Sequence, residues 1–218
     1  MSNIENPTTL YGPTTPIGAF LDAAAARQPT PGGGSITSLV GALAASMGEM
    51  TLNYSVGRKG LEAYQAELKP ALAELTRARQ MLLELMIEDQ AAFRAVTDAR
   101  KIPESDPQRG PRFDAALLAC IRIPQAMAAT GVAMIELVDR ITNFVNPYLL
   151  SDLAVCAELS MATVRCALYN VRVNLADLKD PADRTNIEKT STEILTRATN
   201  LIQRVVPRIW DRQEQTNP

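Results

Sequence analysis

Two carboxylates stand side by side in the stretch ELMIEDQAAF, residues 84–93. A helix turns about 100° per residue, so neighbours on one face lie three and four positions apart. For Asp89 those neighbours are Leu85, Met86, Ala92 and Phe93, with Leu82 and Val96 a turn further along. Asp89 is then the only charge on an apolar stripe, whereas Glu88 falls beside Glu84 and Ala91. Burying an unpaired carboxylate costs several kcal/mol or forces it to take up a proton. Two readings follow: a structural acid capped by a backbone or Asn group, or a general acid or base with a raised pKa.

The chain contains no histidine, which removes the Ser-His-Asp triad, the Cys-His pair and every imidazole metal site. Acid–base chemistry is left to Asp, Glu, Lys, Tyr or Cys. Asn170 and Asn174, four residues apart, align with Leu159, Thr163 and Cys166, and Asn53 interrupts the run from Met50 to Tyr54 in the same way. Asn disfavours helix interiors because its side chain competes for backbone hydrogen bonds. These residues fit either a satisfied interhelical network or, with Asp89, a polar pocket that orients a small molecule. PTPGGGS, residues 29–35, aims the free N–H groups of a helix start at whatever precedes it, which favours anions. It lacks the phosphate-loop ending and follows no strand, so a plain turn reads equally well.

Positioning these residues falls to helices. Short elements are expected from about Pro16 to Arg27 and from Ser35 to Val56. Longer ones run from Leu61 to about Arg100, Phe113 to Asp139 with a kink at Pro124, Ser151 to Leu178, and about Asn186 to Trp210. The helix from Ser35 carries two stripes. Ile36, Leu39, Val40, Leu43, Met47, Met50 and Tyr54 form an apolar one, whose three- and four-residue steps mark the helix. Gly34, Ser38, Gly41, Ala45 and Gly48 form a small-residue one, which lets another backbone approach closely within the chain or across a dimer axis. NVRVNL is the one strand-like alternation, and the helical pattern on both sides outweighs it. The fold class expected is all-α, a multihelical bundle of long antiparallel helices. One domain spans residues 15–213, after a loose arm at 1–14 and before a frayed tail at 214–218.

With 218 residues, 46% apolar, 22 basic and 24 acidic side chains, the chain reads as one globular domain without the basic surface nucleic acid requires. The uncharged run from Gln28 to Gly48 is too rich in Pro, Gly, Ala, Ser and Thr to be a membrane span. Cys120, Cys156 and Cys166 form no CxxC pair, and no signal peptide opens the chain, so a reducing cytoplasm and core thiols are expected.

In order, PTPGGGS, LNYSVGRK, IEDQAAF, NPYLLSD and NVRVNL resemble the cyclodeaminase/cyclohydrolase family of tetrahydrofolate enzymes. The likeness covers roughly Ile17 to Ala198. It implies an all-helical homodimer with a folate pocket, no metal, and no cofactor beyond the tetrahydrofolate substrate. The family's proton donor and acceptor falls on Asp89. Its substrate-binding positions fall on Gly32, Gly33, Gly34 and Ser35, on Asn53 and Lys59, on Asn146 and Asp152, and on Asn170 and Asn174. Where relatives read GNPNAISD, this chain has Val145 and Tyr148 in place of a glycine and an asparagine. The activity implied is hydrolysis of the methenyl bridge to formyltetrahydrofolate, favoured by the lack of a fused transferase domain. The alternative is cyclodeamination of formiminotetrahydrofolate with release of ammonia. A rival of another class is a non-catalytic folate-binding or scaffold relative, motivated by the changes at Val145 and Tyr148.

Overall fold

A computed structural model describes residues 10–216. Six α-helices follow in order: α1 (Ile17–Ala25), α2 (Gly33–Asn53), α3 (Gln65–Lys101), α4 (Arg109–Ile141), α5 (Leu150–Leu175) and α6 (Pro181–Thr216). Single 3₁₀ turns at Glu62–Tyr64 and Pro147–Leu149 lead into α3 and α5, and no strand occurs among the described residues. NVRVNL forms the end of α5. α4 runs on through Pro124, and α6 through Pro207 to Thr216, without a break in either helix. Of the loose arm expected at 1–14, residues 1–9 lie outside the described residues, as do 217 and 218 of the tail. The described end of the arm is tied down: the Tyr11 N–H donates to Gln90 Oε1 at 2.9 Å.

α4 is long and apolar enough by composition to cross a membrane. Here it packs against α3, α5 and α6, burying residues such as Ile121, Met127, Ile135 and Val138. Arg204 and Arg208 of α6 both pair with Asp139 near its end. Arg212 donates to the carbonyl of Thr142, the C-cap of α4, which meets one of the acceptors that a helix end leaves unpaired, and to the Val145 carbonyl in the connection beyond it.

α2 is seated between α3 and α5, and its glycines set the register. A Cβ on Gly48 would lie 2.6 Å from Leu75 and 3.0 Å from Cys156, and one on Gly41 would lie 3.0 Å from both Leu82 and Thr163. One on Gly34 would lie 2.1 Å from Asp89 Oδ1. Steps of seven along α2 therefore meet steps of seven along α3: Leu75, Leu82, Asp89. Seven residues make two helical turns, so these positions share one face. Asp89 is the third rung of a ladder whose other two rungs are buried leucines.

The small-residue stripe thus packs within the chain, and this orientation leaves much of the apolar stripe of α2 outside the core. Leu43 is 51% and Tyr54 61% exposed, Ile36 is exposed too, and Leu39, Val40, Met47 and Met50 are only partly covered. Hydrophobicity alone would turn this stripe inward. Close backbone approach turns the glycine face inward instead, because it covers the leucines of α3 and the inner face of α5. Cys120 and Cys156 are buried as expected, but Cys166 is exposed, since it lies on the side of α5 turned from the core.

Gly41→Leu should lower stability by about 1–3 kcal/mol or more, the usual cost of overpacking, because Leu82 and Thr163 close on it from two helices. Thermal melting checks this, and an unchanged Tm would mean that α2 can shift away without cost.

Candidate functional site

α2 starts without a side-chain cap of its own, its N-cap being Gly32. The first turn of a helix leaves backbone N–H groups without intrahelical partners. Asp89, arriving from α3, supplies the missing acceptor: Ser35 hydrogen-bonds to it through its backbone N–H, and through Oγ, which donates to Oδ2 at 3.4 Å. Gly34 has to be glycine at this point because the carboxylate occupies the volume of a Cβ.

Burial pushes the Asp89 carboxyl up to about 6, and the two hydrogen bonds from Ser35 pull the other way without cancelling it. A carboxyl poised there exchanges a proton near neutral pH, as a general acid or base must. Beside it, burial raises the Cys120 thiol to about 11, with the Asp89 charge adding to the shift, so that thiol stays protonated.

Asp89 opens onto a cleft of about 360 Å³, formed by the 29–34 loop, α3, α4 and the end of α5. Asn170 Nδ2 donates to the Cys166 carbonyl at 2.9 Å and reaches Thr37 Oγ1 at 3.4 Å, while its Oδ1 lies 3.3 Å from where a Gly33 Cβ would stand. Asn174 Nδ2 donates to the Cys120 and Asn170 carbonyls, tying α5 to α4. Phe93, Val173, Arg100 and Asp177 complete the walls, the last two joined as an ion pair at 2.5 Å.

Of the expected site residues, this cleft brings together Gly32, Gly33, Gly34, Asp89, Asn170 and Asn174, with Ser35 behind the carboxylate. Asn53, Lys59, Asn146 and Asp152 are not among them. They lie near the other end of α2, about 30 Å away at 1.5 Å rise per residue. Asn53 and Lys59 are exposed, and Asp152 lies in the first turn of α5. Asn146, expected as a substrate ligand, is 2% exposed and its side chain is engaged in the fold. Its Oδ1 accepts from the Tyr148 N–H, and its Nδ2 donates to the Tyr54 carbonyl at 3.3 Å. Nearby, Val145 is buried and Tyr148 is exposed, with the Arg58 guanidinium 5.7 Å above its ring.

Sequence reasoning missed Thr30, Arg100, Cys120 and Asp177. Arg100 was within reach, since eleven residues beyond Asp89 returns to the same helix face. Thr30 and Asp177 lie on connections, where periodicity carries no signal. Among the described residues no three Cys, Asp or Glu side chains converge as a metal site would require.

The fold and cleft define an all-helical protein whose polar cleft is built round a carboxylate of raised pKa. The chain belongs to the formiminotransferase-cyclodeaminase family, matched over residues 16–193. It is 30% identical over 193 residues to a methenyltetrahydrofolate cyclohydrolase of Methylorubrum extorquens, covering 87% of this chain and 93% of that one. To the formimidoyltransferase-cyclodeaminase of Gallus gallus it is 28% identical over 189 residues, 85% of this chain but 35% of the chicken protein, so it spans about a third of that relative. The crystal structure of a formiminotetrahydrofolate cyclodeaminase from Thermotoga maritima superposes with a TM-score of 0.79 at 27% identity, covering 94% of this chain and 98% of the other.

Asp89→Asn keeps the size and one acceptor but exchanges no proton, so kcat should fall roughly 10²- to 10⁴-fold. The raised pKa means that the native state holds the proton more tightly than the unfolded chain does. Stability from this group is therefore full below the unfolded value and lost as pH rises through about 6. Asp89→Asn should accordingly melt no lower than wild type at pH 7. Glu88→Gln, on the exposed side, is the control, and a larger loss there would move the chemistry to Glu88.

Proposed function

We propose that this protein hydrolyses methenyltetrahydrofolate to formyltetrahydrofolate, with Asp89 as the proton shuttle. The observation that carries the reading is the carboxyl held near neutrality at a helix N-terminus inside the cleft. The Methylorubrum relative, matched over nearly its whole length, bears this activity in its name. Ionised Asp89 takes a proton from water as its oxygen bonds to the bridge carbon. It then returns that proton to the pterin nitrogen as the carbon–nitrogen bond breaks, while the new hydroxyl on the bridge carbon releases its own proton to solvent and becomes the carbonyl of the formyl group left on the other nitrogen. Asn170 and Asn174 orient the substrate from α5. No metal and no further cofactor enters this scheme.

Cyclodeamination is the second reading, favoured by the Thermotoga structure, whose protein is named for it. Protonated Asp89 would then give its proton to the formimino nitrogen, which leaves as ammonia with a further hydrogen that the neighbouring exocyclic amine nitrogen gives up as it closes the bridge. Methenyl absorbance separates the two: it falls on incubation with methenyltetrahydrofolate in the first case and rises with formiminotetrahydrofolate in the second. No change in either favours a non-catalytic folate-binding relative.

The pH profile adds a sign. For hydrolysis, kcat/KM should rise with pH through about 6, where Asp89 ionises, and then level off. If Asp89 acts as the acid in deamination, kcat/KM falls above that value.

The cytoplasm remains the proposed location and a second copy of the chain the proposed partner. A contiguous apolar face of this kind marks an interaction site, and Leu43 lies midway along it. A two-fold pair of antiparallel α2 helices would set the Asn53 and Lys59 end of one chain beside the Asp89 end of the other. That is how Asn53, Lys59 and Asp152 would serve the cleft. Leu43→Glu should then yield a monomer that retains its helix content and loses turnover. A fully active monomer would leave those three residues with no part in the reaction.

A further inference from the structure

Gln90 follows Asp89 on α3, and its amide is wholly buried. Its Oε1 accepts from the Tyr11 N–H at 2.9 Å, and its Nε2 donates to the Tyr11 carbonyl at 2.8 Å and the Met86 carbonyl at 2.9 Å. One side chain thus pairs with both backbone groups of a residue 79 positions away. Buried polar groups satisfied in this way are costly to disrupt. From Tyr11 the connection continues. Its hydroxyl accepts from Gln28 Nε2 at 3.3 Å, which also donates to the Ala23 carbonyl at 2.9 Å, and its ring meets Phe20 edge-on. Ile17 and Leu21 of α1 remain exposed, so these bonds, with Phe20, tether the α1 segment.

Gln28 leads directly into the rim of the cleft, residues 29–34. In that rim Thr30 is only 3% exposed and its hydroxyl has no hydrogen-bond partner among the described residues, although Thr30 lines the cleft. A buried hydroxyl without a partner calls for an explanation, and a polar substrate would supply one.

We propose that Gln90, acting through Tyr11 and Gln28, is a positioning residue that holds the 29–34 rim against Asp89, and that the Thr30 hydroxyl binds the substrate. The inference rests on the proposed folate reaction for its kinetic arm only. The groups facing Asp89 are Ser35 from α2 and the Cys120 thiol from α4, with Arg100 on α3 and Asp177 after α5 also lining the cleft. Loosening the rim removes no charged group from this set but admits water, which favours the ionised carboxylate.

The test uses the full chain with Thr30→Val, Tyr11→Phe and Gln90→Leu, read by kinetics with methenyltetrahydrofolate, by Tm and by hydrogen–deuterium exchange. Thr30→Val, nearly isosteric, should raise KM about 5- to 20-fold with Tm unchanged or higher. Unchanged KM would remove Thr30 from the binding site. Gln90→Leu should speed amide exchange across residues 26–35 by tenfold or more, raise KM and move the acid limb of kcat/KM to lower pH. Tyr11→Phe should do the same more weakly without loss of fold, so the proposal stands on it if Gln90→Leu fails to fold. Unaltered exchange at 26–35 in Tyr11→Phe and in any folded Gln90→Leu overturns the positioning role. A wild-type protein inactive on both folates would sink the proposed reaction while leaving the exchange result to decide the positioning role of Gln90.

Discussion

The contact between the N-terminus of α2 and the Asp89 carboxylate ties fold to site. α2 has no cap of its own, and α3 places an acid where its third ladder leucine would otherwise stand. The acid satisfies the helix start, and the helix start in turn offsets part of the cost of burying the acid. Because the offset is incomplete, the carboxyl is left near 6 rather than near 4. A stronger cap would hold it ionised and inert, and a drier one would keep it protonated.

That contact depends on the glycines at seven-residue intervals. Gly41 and Gly48 let α2 settle onto Leu82 and Leu75, and this depth is what brings Gly34 onto Asp89. The outward turn of Leu43 and Tyr54 follows from the same seating. Core packing, site geometry and the apolar outer face are thus three consequences of one choice of which α2 face goes inward.

Much of this was legible in the sequence. All six helices were, the five long ones by their extended periodicity, and Asp89 was, because a charge on an apolar stripe violates the pattern. Gly33, Gly34, Asn170 and Asn174 were also legible, and the structure gathers them at one cleft. The rotation of α2 was not legible from hydrophobicity, since both of its stripes are continuous and only backbone approach chooses between them. Asn146 shows a different limit: its residue type suits a ligand contact, but the turn into α5 engages both ends of its amide. The motif residues at the far end of α2 share a sequence pattern with the cleft without sharing its place on one chain. Gln90 gave no signal, since a glutamine on a helix is ordinary until its long-range partner is known.

The central claim is that Asp89 is held half-way between its charged and neutral forms by burial against an uncapped helix start. A carboxyl-selective NMR titration of the free protein, with Asp89→Asn to assign the signal, tests it most directly. The account requires Asp89 to titrate near 6, well apart from the exposed carboxylates. A midpoint at or below about 4, the ordinary value for an aspartate, would show the carboxylate to be a simple helix cap and would contradict the account.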